Sequence, residues 1–460
     1  MHYLWWFVPG LTAPMLIAII ATIHMFSALY AVGGGIVLAG ETASAHRLNH
    51  VPYLEYLKSH TWFFVFFTVA YGAITGVGIW WTIGLTSPLA TETLIHIFVF
   101  GWAMEWVFFI LEIVSAFTFF YYWDRLDPKT HTIIGWIYAV SAWGSLVLIT
   151  GITAFQLNSG GWQAGDGFWH AFLNPQTIPQ ILARTGGALV MAALYIYLHA
   201  SFKLKNNPDL LHFVERHTAK WIMWGAIFLI VGGLWWRWKL TESAAAVLAS
   251  AGVLNALVFI LLAAIVIVFV MAYVGPYKNP QWLTPGFAVL IFLIGLGAIS
   301  AGEFTREAVR KPYIVNGLVL GNQIRQSEVE KGQENGFLNL STWAKFYVKE
   351  NFPNVVNTDG QIVDSLLVQV PEKEQRAIGK VLFMHHCNDC HSIDGFTGLS
   401  DLVRGWDYDM LESGIEALDQ IHFFMPEFAG TSEEAQVLAK FIQSVQKPKP
   451  ANLAAKGGAK

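Results

Sequence analysis

The chain has 460 residues, 55% of them hydrophobic and only 13% charged, with a formal net charge of −4 at pH 7. Soluble domains carry about 25% charged residues, so this balance, with a mean hydropathy of +0.46, excludes an ordinary soluble globule. The charge offers nothing to nucleic acid, and neither a Gly-rich phosphate loop nor a short internal repeat is present.

In chain order, the start Met-His-Tyr-Leu-Trp-Trp lacks a basic segment, so the first span is expected to act as an uncleaved signal anchor. Pro9 and Pro14 suggest that its opening part lies along the membrane interface. Apolar runs near twenty residues are span candidates, and they fall at about 18–45, 60–84, 92–122, 131–153, 177–202, 219–240, 247–274 and 283–304. One set of loops holds Arg47, Lys58, Arg125, Lys129, Lys203, Lys205, Arg216, Lys220 and Lys278; the other holds only Arg237 and Lys239. The positive-inside rule makes the first set cytoplasmic. The N-terminus is then outside, and eight crossings return the chain to the outside at Gly302.

From Gly302 onward the chain reads as soluble. Tyr313–Pro371 is polar and weakly periodic, a connector expected to pack on the membrane domain. Ala377–His386 reads as a helix leading into Cys387-Asn388-Asp389-Cys390-His391. C-x-x-C-H is the attachment signature of c-type haem. Two thiols a helical turn apart can add to the two vinyl groups of one haem, and the adjacent His then reaches the iron. These are the only two cysteines in the chain. Covalent haem attachment takes place on the outer side of a bacterial membrane, which agrees with the loop charges. Thr431-Ser432-Glu433-Glu434 is a capping box that opens an amphipathic helix to about Val445. The Lys/Pro/Ala/Gly stretch from 447 to 460 reads as a disordered tail.

Gly379 and Phe383 one turn apart, then C-x-x-C-H, Met425-Pro426 and a terminal helix resemble the small class I c-type cytochromes over residues 371–446. That resemblance implies His391 and Met425 as axial ligands of haem c. Met384 and Met410 are the rival thioethers, read as core residues, and His385, His386 and His422 are read as packing residues.

Ionisable side chains at bilayer depth are costly and mark functional sites by default. They are His24, Glu41, His96, Glu105, Glu112, Arg184 and His199, with the cluster Glu303, Arg306, Glu307 and Arg310. Glu105 and Glu112, seven apart, project from one face of the third span.

Four stretches carry a second resemblance: Ile23-His24-Met25-Phe26 with the pair Glu105 and Glu112, Tyr122-Trp123-Asp124-Arg125-Leu126, the loop Gly151–Asn158, and Glu307-Ala308-Val309-Arg310-Lys311-Pro312-Tyr313. Together they resemble subunit I of the cytochrome bd-type oxidases, the last as that family's E-x-G-R-Q-P-W motif. The resemblance implies His24 as axial ligand of one high-spin haem and Glu307 as ligand of another. It also implies Arg310 as a partner of haem propionates, and Glu105 and Glu112 as the third-helix carboxylates beside the two haems; facing inward, the pair suggests a proton path or a cation-like haem environment, and in the oxidase reading it delivers protons.

The departures are equally specific. Ile181–Thr185 carries no His and the seventh span no early Met, where the family holds a low-spin haem b. Only about Leu240–Ser243 stands for its long quinol loop, and the two carboxylates are one residue closer than in its pattern. The resemblance is therefore to a divergent, cytochrome c-linked branch.

The expected protein is all-α: a bd-oxidase-like transmembrane bundle of about eight helices over 1–315, a connector over 316–370, and an all-α cytochrome c domain over 371–446 outside the inner membrane. Its implied cofactors are one covalent haem c and one or two haems b, with haem d as the alternative occupant of the oxygen site. Its implied partners are a related second subunit or other respiratory subunits, and an external donor such as a soluble cytochrome. The expected activity is an oxidase that receives electrons through its own haem c and reduces O2 at a high-spin haem. Two other readings stay open: an electron-transfer subunit passing electrons between haem c and a quinone or catalytic partner, with His96 and His199 as extra ligands, or a membrane domain that merely anchors the cytochrome.

Overall fold

The computed structural model describes residue 3, residues 6–395 and residues 397–448; the tail expected to be disordered lies, from residue 449 on, outside the described residues. The chain divides into two compact units, Ala18–Trp81 with Leu94–Val309, and Met1–Ile17 with Thr82–Thr93 and Arg310–Lys460.

In chain order the first helices are α1 (Ala13–Arg47), α2 (Val51–Phe66), α3 (Gly72–Thr86), α4 (Pro88–Ile97), α5 (Val99–Tyr121), α6 (Pro128–Phe155), α7 (Phe168–Phe172), α8 (Thr177–Lys203), α9 (Pro208–Trp238), α10 (Glu242–Ser250), α11 (Gly252–Ala272) and α12 (Pro285–Ala308). Among the described residues, eight segments are long and apolar enough to cross a membrane, with α2 and α3 counting as one span. The π-helical turn Phe67–Tyr71 joins that pair. This agrees with the eight apolar runs of the sequence.

Helix starts follow local chemistry. Asp127, Asn207 and Thr284 each accept a backbone N–H in the first turn of α6, α9 and α12, and each is followed by a proline. Such prolines have no N–H to lose there, and their φ is already helical. The same logic starts α2 at Val51, where the His50 ring accepts the Tyr53 N–H and Pro52 sits in the first turn. Lys58, Arg216 and Lys220, expected in loops, consequently lie inside α2 and α9. A span needs about 20 residues, whereas α1 has 35 and α9 has 31, so these helices run past the apolar slab.

In this unit α8 is the centre, with 61% of its apolar window buried. Its small residues let α1 approach closely: a Cβ built on Gly33 would lie 1.9 Å from the Ala188 carbonyl oxygen. Glycine is the residue that fits there.

The other unit carries a short antiparallel hairpin, β1 (Tyr313–Val315) and β2 (Val319–Leu320). Helices α13 (Val329–Asn335), α14 (Phe337–Leu340), α15 (Thr342–Asn351), α16 (Asp364–Leu367), α17 (Glu372–His386), α18 (Leu399–Leu402), α19 (Tyr408–Glu416), α20 (Leu418–Ile421) and α21 (Ser432–Val445) follow. The stretch expected to be a connector builds part of this unit's core. Leu320, Phe337, Leu338, Val348 and Leu367 share one cluster with Ile378, Phe383 and Leu438. The fastening is polar: the buried Glu434 carboxylate accepts the N–H of Phe337 at 2.8 Å and of Leu338 at 2.7 Å. Its capping box with Thr431 is formed as the sequence suggests. Helices α17 and α21 cross at Gly379, where a Cβ would stand 2.0 Å from the Val437 carbonyl oxygen, and the Phe383 and Phe441 rings pack 5.3 Å apart.

Candidate functional site

At the end of α17 the chain makes one tight turn, with the His391 N–H donating to the Cys387 carbonyl at 2.8 Å. Cys387 and Cys390 are free thiols on that turn. Lys311 Nζ donates to Cys390 Sγ at 3.3 Å, and burial pushes the Cys387 thiol up to about 12. The His391 ring places Nδ1 3.2 Å from the Thr397 carbonyl oxygen. A carbonyl can only accept, so Nδ1 carries the proton and Nε2 keeps its lone pair. Burial also lowers the pKa of His391, which favours the neutral ring a metal needs. Two free thiols on one turn and a neutral His with Nε2 available fit the attachment of haem c.

Met425 lies between α20 and α21, half-buried, its N–H donating to the His422 carbonyl at 2.8 Å. Met384 is buried in the core, as read from sequence, but Met410 is half-exposed on α19 and so is not a core residue. His386 is buried between Phe337 and Phe428, at ring separations of 4.4 and 4.7 Å, and the His385 ring lies 5.1 Å from Phe337. Both act in packing. Arg310 is buried, with one guanidinium N–H 3.4 Å from the Ile314 carbonyl oxygen.

In the membrane bundle, His24 on α1 turns toward α3, where its Nδ1 lies 3.1 Å from Thr75 Oγ1. Thr75 spends its own proton on the Tyr71 carbonyl at 2.8 Å, so it can only accept from His24. The Nε2 of His24 is left as the basic nitrogen, the same arrangement as at His391. A Cβ on Gly76 would reach to 3.4 Å from the His24 ring, so the helix passes close by. Around this end, His24 and Arg184 are both within electrostatic reach of Glu303, and Arg306 of Glu307. Arg306 Nε donates to Glu303 at 2.9 Å. Arg184 donates to the Thr150 hydroxyl at 3.2 Å, a partner that sequence reasoning did not foresee. Glu307 is buried at the end of α12. These donors, one neutral imidazole and one buried carboxylate with arginines nearby, fit haem iron and propionates.

Glu105 and Glu112 both face α6. Ser145 Oγ donates to Glu105 at 2.9 Å, and Glu112 is within electrostatic reach of Glu105 and within range of the same serine. His96, on α4, is exposed.

Sequence reasoning missed His60. It stands at the edge of an apolar run that seemed to begin there, whereas α2 begins at Val51 and carries His60 about two and a half turns inward. The signal was the His50-Val51-Pro52 helix start. His60 is fully buried, and its ring lies 4.9 Å from that of His199.

Residues 13–241 match the family model described as cytochrome bd terminal oxidase subunit I. Among solved structures, the chain is similar to the bd oxidase from Geobacillus thermodenitrificans, with a TM-score of 0.59 and 19% identity over 66% of this chain and 88% of that one. At that identity the likeness speaks for the fold alone. No curated protein matches the chain.

Proposed function

We propose, from the match of residues 13–241 to the model of cytochrome bd terminal oxidase subunit I, that the chain is an oxidase of that kind fed through a covalent haem c. Cys387 and Cys390 would hold that haem, with His391 and Met425 as axial ligands. His24 and Glu307 would hold the membrane haems, one or two haems b or a haem d at the oxygen site, with Arg310 beside the propionates. When bound, these groups carry electrons one at a time and bind O2 at an open coordination position.

The observation that carries this reading is the shared engagement of His24 and His391. In both rings Nδ1 is held by an oxygen that can only accept, so Nε2 is aimed as a ligand of fixed tautomer.

The remaining residues have separable work. Glu105 and Glu112, linked through Ser145, would hold and pass the protons that reduction of O2 to water consumes. Arg184 and Arg306 would keep positive charge near the anionic edge of the site. The absence of the quinol loop between α9 and α11, where only the short α10 stands, suits electron entry from the C-terminal domain on the outer side of the inner membrane. Members of this family work with a partner subunit, and a related second bundle is the proposed partner; a soluble cytochrome is the proposed external donor.

Reduced spectra of the purified protein with and without CO test the reading. A CO-sensitive haem that disappears in His24→Ala, with haem c retained, is the expected result. A protein whose reduced spectrum is blind to CO would overturn it.

A further inference from the structure

At the opposite end of the bundle from His24, where Lys203 is exposed and the loop cations gather, α1, α2 and α8 bury a second polar group. His60 is fully buried, with Nε2 3.0 Å from the Tyr30 hydroxyl. His199 sits one turn inside Lys203, with Nδ1 3.4 Å from the Tyr56 hydroxyl, and Tyr56 donates onward to the Ile196 carbonyl at 3.3 Å. The two imidazoles face each other with ring centroids 4.9 Å apart. Tyr30 is fully buried and stacks on Tyr195 at 4.0 Å, one step deeper in the bundle.

Packing does not require this chemistry. The surroundings are aromatic, with Phe63 6.0 Å from His60 and 5.8 Å from His199, and a phenylalanine would fill either place. His60 Nδ1 is buried without a hydrogen-bond partner among the described residues, and a native core pays for such a group only where it has a use. An imidazole takes a proton on one nitrogen and gives one up from the other, so two facing rings between two phenols make a route for protons. The titratable groups around the pair are Tyr30 on α1, Tyr56 on α2 and Lys203 on α8.

We propose that His199, His60 and Tyr30 form a proton-uptake branch that leads from the cation-rich end of the bundle toward its centre, separate from Glu105 and Glu112. The proposal rests on the reading of the bundle as one whose reduction consumes protons. Protons enter at His199, cross to His60 and leave through the Tyr30 hydroxyl, each group returning to its starting protonation after one transfer. Tyr56 positions the His199 ring.

The test uses the full-length holoprotein and its Tyr30→Phe, His60→Phe and His199→Phe variants. Proton uptake from solution is followed with a pH-indicator dye while the membrane haems are reduced without O2. Uptake should slow by about tenfold or more in each variant, with haem content and the CO difference spectrum unchanged. Tyr30→Phe removes a single oxygen, which keeps the test open if the histidine variants fold poorly. Unchanged uptake rates in folded Tyr30→Phe with full haem content would overturn the branch. Because the readout needs no O2, that outcome leaves the oxidase reading intact, whereas a wild-type protein blind to CO would overturn the oxidase reading instead.

Discussion

Thr75 on α3 accepts a hydrogen bond from His24 on α1, Nδ1 to Oγ1 at 3.1 Å, and so sets which ring nitrogen of His24 stays basic. Losing such a partner weakens metal-site affinity by about 10–100-fold. Thr75→Val keeps the shape and removes the acceptor. It should leave haem c untouched and lower the content of membrane haem, measured by pyridine haemochrome per mole of protein. Full membrane-haem content in this variant would mean that the ring is oriented by something else.

Met425 and Met410 differ in a way a redox titration can read. A thioether ligand raises the potential of haem c. Met425→Ala should lower it and weaken absorbance typical of thioether ligation, while Met410→Ala leaves both as they were. The reverse pattern would transfer the ligand to α19.

The crossing of α17 and α21 tolerates no side chain at Gly379, since a Cβ there would meet the Val437 carbonyl at 2.0 Å. Gly379→Val should cost about 3 kcal/mol or more through forced separation of the two helices. Denaturant unfolding of the intact protein, followed at the haem c absorbance, measures this. A midpoint equal to that of the wild type would contradict the close packing.

Glu434 offers a pH-dependent test. Burial pushes its carboxyl up to about 8, against the pull of the Leu338, Phe337 and Thr431 N–H groups. A carboxyl raised above its unfolded value of 4.5 contributes most below that value, and the contribution fades as pH rises through about 8. The unfolding midpoint should therefore fall between these limits, and Glu434→Gln should flatten the fall. Glu434→Ala leaves the same N–H groups buried without an acceptor and should cost roughly 3 kcal/mol at low pH, and less as pH rises through about 8. A wild-type midpoint that rises over this window would reverse the assignment.

Much of this molecule was legible residue by residue. Eight apolar runs correspond to eight membrane-length segments because span length is a property of one stretch of chain against one solvent. The turn of Cys387–His391 and the capping box of Thr431 with Glu434 were readable for the same reason, since each closes within five residues. Gly379 and Phe383 were read only as part of a resemblance, and the helix crossing that they build became visible in the fold.

What stayed hidden depends on groups far apart in the chain. His60 on α2 meets His199 on α8 only in the folded bundle, and no periodicity in α2 records that. The stretch around Phe337 looked like a polar connector. Its place in a core is set by a carboxylate 97 residues away, which takes up N–H groups that burial would otherwise leave bare. Local patterns report which surfaces leave water, while the pairing of those surfaces is settled by shape and by hydrogen-bond partners that only the folded chain brings together.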